Sequence, residues 1–201
     1  MNRRPNLKKR QSIVDAALDE FQQSGFQGAN MDAIADRAQV SKRTVYNHFP
    51  SKQALFEHIA REVWEQANEA TEVAFDPQKT IRDQLLTIAK KELLLVSDPN
   101  FLKRTRMLMA ELLHNEDMAQ STLEKFAEEQ SSIGLWMAEA SKTGSLTITD
   151  PESAGKKFHS LIKCQAFWPQ LIMGEETLPE SQHQSIAEEV VTMFLAVHGT
   201  T

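Results

Sequence analysis

Residues 30–49, NMDAIADRAQVSKRTVYNHF, hold two short runs of helical spacing divided by a two-residue turn. Asn30 is placed to cap a helix over 31–38, whose inner face is Ile34, Ala35 and Ala38. Gln39-Val40 turns the chain, with Val40 plugging the turn, and Ser41 caps a second helix over 42–48. Pro50 stops that helix, because the residue before a proline is pushed out of the α region. Val45 and Phe49, four residues apart, point inward, and the small faces of Ala35 and Ala38 permit a close crossing. This is the pattern of a helix-turn-helix. Left facing outward are Lys42, Arg43, Thr44, Tyr46 and Asn47. Cationic donors, a hydroxyl, a flat aromatic and an amide suit phosphates and base edges, or else form a solvated cationic face. Seven residues make about two turns, enough to enter a major groove by the N-terminal end. No β-wing sequence follows, which argues against winged-helix proteins.

Working outward, helical periodicity dominates and the expected class is all-α, with about nine helices. The first runs over 7–24, with Ile13, Ala16, Ala17 and Phe21 on one face, stopped by Gly25 and backed by Phe26. Ser51 caps a fourth helix over 52–74 with Leu55, Ile59 and Val63 inward. Pro77 opens a helix to 96, and Asp98-Pro99 opens another to 114. A single long helix is expected over 119–142, carrying Leu123, Phe126, Gln130, Ile133, Met137 and Ala140 at 3-4 spacing, with Gly144 after it. Asp150-Pro151 starts the next, to 173, shortened or kinked by Pro169, and Pro179 starts the last, to 197. Residues 145–149 could be extended, but a lone strand has no expected partner.

Composition narrows the function classes. A chain of 201 residues with 41% apolar and 25% charged residues can bury a core without a staple. Its longer apolar runs, such as Leu93-Leu94-Leu95-Val96, are far short of the ~20 residues of a membrane span. The basic start lacks the apolar stretch of a secretory signal, and one cysteine, Cys164, makes no internal disulfide. The expected location is cytoplasmic. The net charge of −6 is unevenly spread. Residues 1–52 carry nine Lys/Arg against five Asp/Glu, a balance of +4, leaving thirteen against 23, or −10, for 53–201. One end is therefore expected to meet a polyanion, with nucleic acid the obvious candidate. The expected division is a DNA-binding domain over 1–52 and an effector-binding, dimerising domain over 53–201.

The residues now support a family resemblance. Ile13-x-x-Ala16-Ala17-x-x-x-Phe21-x-x-x-Gly25-Phe26, Ile34-Ala35-x-x-Ala38-x-Val40-Ser41 and Thr44-x-Tyr46-x-His48-Phe49-x-Ser51-Lys52-x-x-Leu55 resemble the N-terminal domain of the TetR/AcrR repressors. Two departures stand out: Asn30 occupies a position usually Thr or Ser, and Arg43 one that is often Gly. Further on, Gly144-x-Leu146, Asp150-Pro151, Ala154 and Phe158 resemble the family's usual effector-domain linker, and Phe167-Trp168-Pro169 resembles the AefR-like subgroup. The resemblance implies that Tyr46, His48 and Lys52 contact phosphates, and it leaves Lys42, Arg43, Thr44 and Asn47 as candidates for base edges. Tyr46 could instead pack on the first helix. Arg3, Arg4, Lys8, Lys9 and Arg10 read as a loose tail or as a minor-groove or phosphate clamp.

In the acidic remainder, Phe158, Leu161, Ile162 and Trp168 line one broad apolar face, and Ile186, Val190, Met193, Phe194 and Val197 another. A homodimeric four-helix interface would absorb that width, as would a monomer core. Trp64, Met107, Met109, Phe126, Trp136, Met137 and Phe167 suit a pocket for an apolar or amphipathic effector, or plain core. Glu111 and His114 share a helix face, the start of a metal-dependent bundle enzyme, but a di-iron bundle needs two such motifs and further carboxylates. His159, Cys164 and His183 lack metal-ligand spacing, and Cys164 reads as an inert thiol or a redox sensor. No phosphate loop or nucleophile elbow is present, so no cofactor, metal or catalytic residue is expected. The reading is a ligand-responsive repressor acting as a homodimer on a pseudo-palindromic operator, with an activator or dual regulator of the same fold as the alternative.

Overall fold

The computed structural model describes residues 3–126 and 131–200. Eleven helices and no strand occur among them: α1 Arg3–Gly28, α2 Met31–Arg37, α3 Lys42–His48, α4 Lys52–Ala70, α5 Ile81–Val96, α6 Pro99–His114, α7 Glu116–Glu124, α8 Ser132–Lys142, α9 Pro151–Ala166, α10 Trp168–Ile172 and α11 Glu180–His198. The all-α expectation holds, and the excess over nine helices has local causes. The expected 119–142 helix is two helices, since α7 ends at Glu124 and Ser131 caps α8 by accepting from Gly134 N–H. Gln130 lies outside the described residues. Within the expected 151–173 helix, Phe167 closes α9 and Pro169 sits in the first turn of α10, where its missing N–H costs nothing. Helix α5 starts after Thr80, whose hydroxyl accepts from Asp83 N–H, rather than at Pro77. The 145–149 segment does find a partner: Leu146 bridges antiparallel to Gly199, and Thr147 N–H donates to the His198 carbonyl at 2.8 Å.

The chain forms two compact units. The first comprises Met1–Val63 and Arg104–Phe126. Its core joins Ile13, Ala17 and Phe21 of α1, Ile34 of α2, Val45 of α3, and Leu55, Phe56 and Ile59 of α4, with Leu108 and Met118 added. Phe26 and Phe56 meet edge-on with centroids 5.2 Å apart. Each fully buried Ile, Leu or Phe contributes about 1.5–3 kcal/mol. Gly25, at φ +67°, breaks α1 as its position suggested, and turns buried Phe26 into this core. Arg37 of α2 reaches back to Glu20 at 3.1 Å and to Gln23 at 2.8 Å, pinning α2 to α1.

The second unit comprises Trp64–Lys103 and Ala127–Thr201. Helices α5, α9 and α11 pack on one another, and α8 and α10 lie on α9. Phe158 and Phe194 meet edge-on at 5.2 Å in its core. The buried Glu92 carboxylate lies 2.7 Å from His159 Nδ1, joining α5 to α9. Gly155 lets α8 approach α9: a Cβ there would lie 2.9 Å from the Ile133 Cγ2.

Candidate nucleic-acid interface

The turn between α2 and α3 is built from local hydrogen bonds. Asn30 accepts from the N–H groups of Asp32 and Ala33 at 3.1 and 2.8 Å, doing the capping work of Thr or Ser. At the far end of α2, Val40 N–H donates to the Ala35 carbonyl and Gln39 N–H to the Asp36 carbonyl, both at 3.1 Å. That is a Schellman closure, and it puts Gln39 at φ +55°. Ser41 then caps α3, accepting from Thr44 N–H at 3.2 Å, with the two hydroxyls 2.8 Å apart. Val45 and Phe49 are buried, so α3 is clamped by one face.

The other face carries the candidate readers. Lys42, Arg43, Tyr46 and Asn47 are exposed, while Thr44 and His48 are half-buried. These six residues share seven positions of one helix, about 10 Å long. Arg43 has none of its donors engaged among the described residues. Lys42 Nζ sits 2.8 Å from the Asp32 carboxylate, and that contact raises its pKa above the ordinary lysine value, keeping it cationic. Lys52 is placed differently from the others. Its ammonium donates to the carbonyls of Phe26, Gln27 and Ala29, and lies 4.7 Å from the Phe26 ring centroid. All three donors are thereby matched at the end of α1.

Sequence reading missed a second set beneath α3. Arg10 lies over the Phe49 ring at 4.5 Å, and its Nη2 is 3.3 Å from His58 Nδ1. His58 is also 5.3 Å from Phe49, and its Nε2 is 3.2 Å from Glu62 Oε1. Arg104 approaches the other Glu62 oxygen at 3.9 Å. The hydrogen bond from His58 holds the Glu62 carboxyl below the usual carboxylate range against its burial; the charges of Arg104 and Arg10 add to the effect, as does that of His58 when its ring is protonated. The i,i+4 spacing of His58 and Glu62 was the one available signal.

Of the expected pocket residues, Met107 and Phe126 pack against the core of the first unit, where Met109 is half-buried. Trp136, Met137 and Phe167 are buried in the second, and Trp64 is half-buried there. Trp136 meets Phe75 edge-on at 5.6 Å, and its buried indole N–H has no acceptor among the described residues. None of the seven borders either of two clefts formed by described residues of the second unit. One, of about 630 Å³, is bordered by Lys79, Thr80, Ser145 and Leu195; the other, of about 410 Å³, by Val73, Asp76, Gln84 and Thr87. Of the expected interface residues, Phe158, Ile162, Ile186, Val190 and Phe194 are buried in the core of the second unit, Leu161 and Trp168 are half-buried, and Met193 and Val197 are exposed. Glu111 is buried and His114 exposed, and no group of three or more metal-ligating side chains occurs among the described residues. No helix among them is long and apolar enough to cross a membrane.

Known proteins share both the motif and the architecture. Residues 13–59 match the family model of bacterial regulatory proteins of the tetR family, and residues 83–200 that of the AefR-like transcriptional repressor C-terminal domain. The HTH-type transcriptional regulator RutR of Escherichia coli K12 is 30% identical over 153 residues, covering 72% of this chain and 67% of that protein. A TetR family regulator of Pseudomonas syringae pv. tomato superposes with a TM-score of 0.87 at 36% identity, over 96% of this chain and 97% of that one. The flavonoid-responsive regulator FrrA gives a TM-score of 0.71 at 25% identity, over 95% and 97%. These relatives are regulators, not enzymes. With its capped helix-turn-helix and an AefR-like C-terminal region, the chain belongs to the TetR family of transcriptional regulators, whose N-terminal domain binds DNA.

Proposed function

We propose that the protein is a cytoplasmic repressor that binds a pseudo-palindromic operator as a homodimer and is released or modulated by a small molecule. The observation that carries this reading is α3, which buries Val45 and Phe49 and presents Lys42, Arg43, Tyr46 and Asn47. Residues 1–52 supply the DNA contacts; 53–201 dimerise and bind the effector. Arg43 has the guanidinium fork that matches guanine O6 and N7, and Tyr46 and His48 meet phosphate. Thr44 and Asn47 complete the base-reading set, Lys42 after leaving Asp32. A helix of two turns reads few base pairs, so two heads on half-sites about one helical turn (~34–36 Å) or a multiple apart are needed. Exposed Met193 and Val197, with Leu161 and Trp168, support a dimer face on α9 and α11.

The effector is apolar or amphipathic. A buried Trp136 N–H without an acceptor among the described residues favours a ligand that brings an oxygen to an aromatic surround. Similarity to FrrA, described as flavonoid-responsive, makes aromatic amphiphiles the first compounds to try. Helix α4, unbroken from Lys52 to Ala70, is the element through which binding changes the head. The repressor reading is supported by the AefR-like repressor match over 83–200.

Titration against a randomised operator library at two salt concentrations tests the core of this reading. Arg43→Ala is expected to cost about 1–3 kcal/mol per half-site and relax preference at one base position. A change confined to the salt slope would make Arg43 a phosphate clamp and pass readout to Thr44 and Asn47.

A further inference from the structure

Arg10 sits at the basic start of the chain, where a cation invites a DNA-contacting role, yet its guanidinium faces inward onto Phe49, the residue that closes α3. A guanidinium only donates, so the 3.3 Å contact between Arg10 Nη2 and His58 Nδ1 is a hydrogen bond in the tautomer that leaves Nδ1 its lone pair. In that tautomer the ring proton is on Nε2, 3.2 Å from Glu62 Oε1, which accepts it. Behind Glu62 stands Arg104, 3.9 Å away, on α6. Four helices thus meet around one imidazole: α1 by Arg10, α3 by Phe49, α4 by His58 and Glu62, and α6 by Arg104. The neighbouring carboxylate on α4, Glu57, is occupied by Lys125 at 2.5 Å.

We propose that Arg10 is a positioning residue for the recognition helix, held over Phe49 by neutral His58, and that protonation of His58 releases it and loosens α3. Protonated His58 has two donors and no acceptor, so Arg10 then faces an N–H and a like charge instead of a lone pair. Glu62 keeps its bond, so the break occurs on the α1 side alone. This rests on α3 being the element that reads DNA. His48, half-buried on α3 and 6.4 Å from Phe49, supplies an opposite trend, since its protonation adds a cation facing DNA.

The test uses the full chain and a duplex selected from a random library by the wild-type protein. Arg10→Met keeps the apolar stem over Phe49 but loses the donors. It is expected to weaken binding at least about tenfold at neutral pH while leaving the slope of log affinity on log salt unchanged. His58→Gln retains one acceptor and one donor and does not titrate. With His48→Gln as the common background, affinity should fall on acidification when His58 is present and stay flat in His58→Gln. Nitrogen-15 spectra of the imidazole should show the Nε2–H tautomer at neutral pH, a readout that needs no DNA. A salt slope smaller by about one unit in Arg10→Met, an Nδ1–H tautomer, or equal pH profiles with and without His58 would each overturn the proposal. Arg43→Ala on the same duplex separates the readings: if it too has no effect, the fault lies with α3 as reader. Thermal unfolding of each variant shows that the head is folded where binding is measured.

Discussion

At the scale of single residues, three side chains hold the head in shape by three different means. Gln39 occupies the left-handed region at φ +55° to close α2, a conformation that costs a side-chain-bearing residue about 1–2 kcal/mol. Gln39→Gly should be neutral or stabilising by up to about 1 kcal/mol, whereas Gln39→Val should lower the melting temperature clearly. Calorimetry of the two variants separates turn strain from side-chain contacts. Lys52, with its ammonium on three carbonyls, is a peg between the start of α4 and the end of α1. Lys52→Met is expected to cost about 1–3 kcal/mol by denaturant titration without DNA. A phosphate role for Lys52 requires it to leave those carbonyls, and its sign is a smaller salt slope in binding. Glu62 has a lowered pKa, so its contribution to stability is complete above the ordinary value of 4.5 and is lost as pH falls through the lowered one. Glu62→Gln should therefore destabilise at neutral pH and converge with the wild type in acid, followed by chemical denaturation across the acid range.

Elements are set by their contacts as well as by their caps. Helices α2 and α3 have caps made by side chains two or three residues away, which is why their limits are so local a matter. The α8–α9 pair depends on absence of bulk instead. A methyl at Gly155 would press on Ile133 Cγ2 at 2.9 Å, tighter than packed carbons accept. Gly155→Ala should destabilise the second unit by about 1–3 kcal/mol unless Ile133 changes rotamer. Gly155→Ala with Ile133→Val, measured as a double-mutant cycle, should recover most of the loss; strict additivity would mean that the two helices do not conflict there.

At the scale of the whole molecule, the proposed homodimer turns on which apolar surface is left to join two copies. Val190 is fully buried within its own unit, so Val190→Glu should unfold the chain rather than produce a folded monomer. Met193, 45% exposed, and Val197, 75% exposed, are the residues that report on assembly. Met193→Glu with Val197→Glu should leave a folded monomer in sedimentation at micromolar concentration, with operator affinity reduced far more than in any head variant. A double variant that stays dimeric would move the interface off the α11 surface. The uneven charge acts at the same scale, because a body of −10 repels DNA and leaves the +4 end to approach it.

Much of this was legible in the sequence because the deciding interactions are short-range. Asn30 and Ser41 cap helices beginning one residue later, Gly25 breaks α1 where its φ is positive, and the 3.6-residue spacing of Ile34, Val45 and Phe49 selects the buried side. Those terms depend on backbone geometry within one or two turns, so residue type and spacing determine them. What only the tertiary structure decided depends on neighbours distant in the chain. Arg10 and His58 are 48 positions apart, and nothing in either residue type says that they meet over Phe49. Residue type marks Lys52 as a cation for phosphate, and only the fold shows that its ammonium meets three carbonyls of the 26–29 segment. An apolar stripe likewise does not name what covers it. The fold spent Phe158, Ile162, Val190 and Phe194 inside one subunit and left Met193 and Val197 in solvent, because hydrophobic burial has no preferred direction and the packing of α5, α9 and α11 alone supplies one.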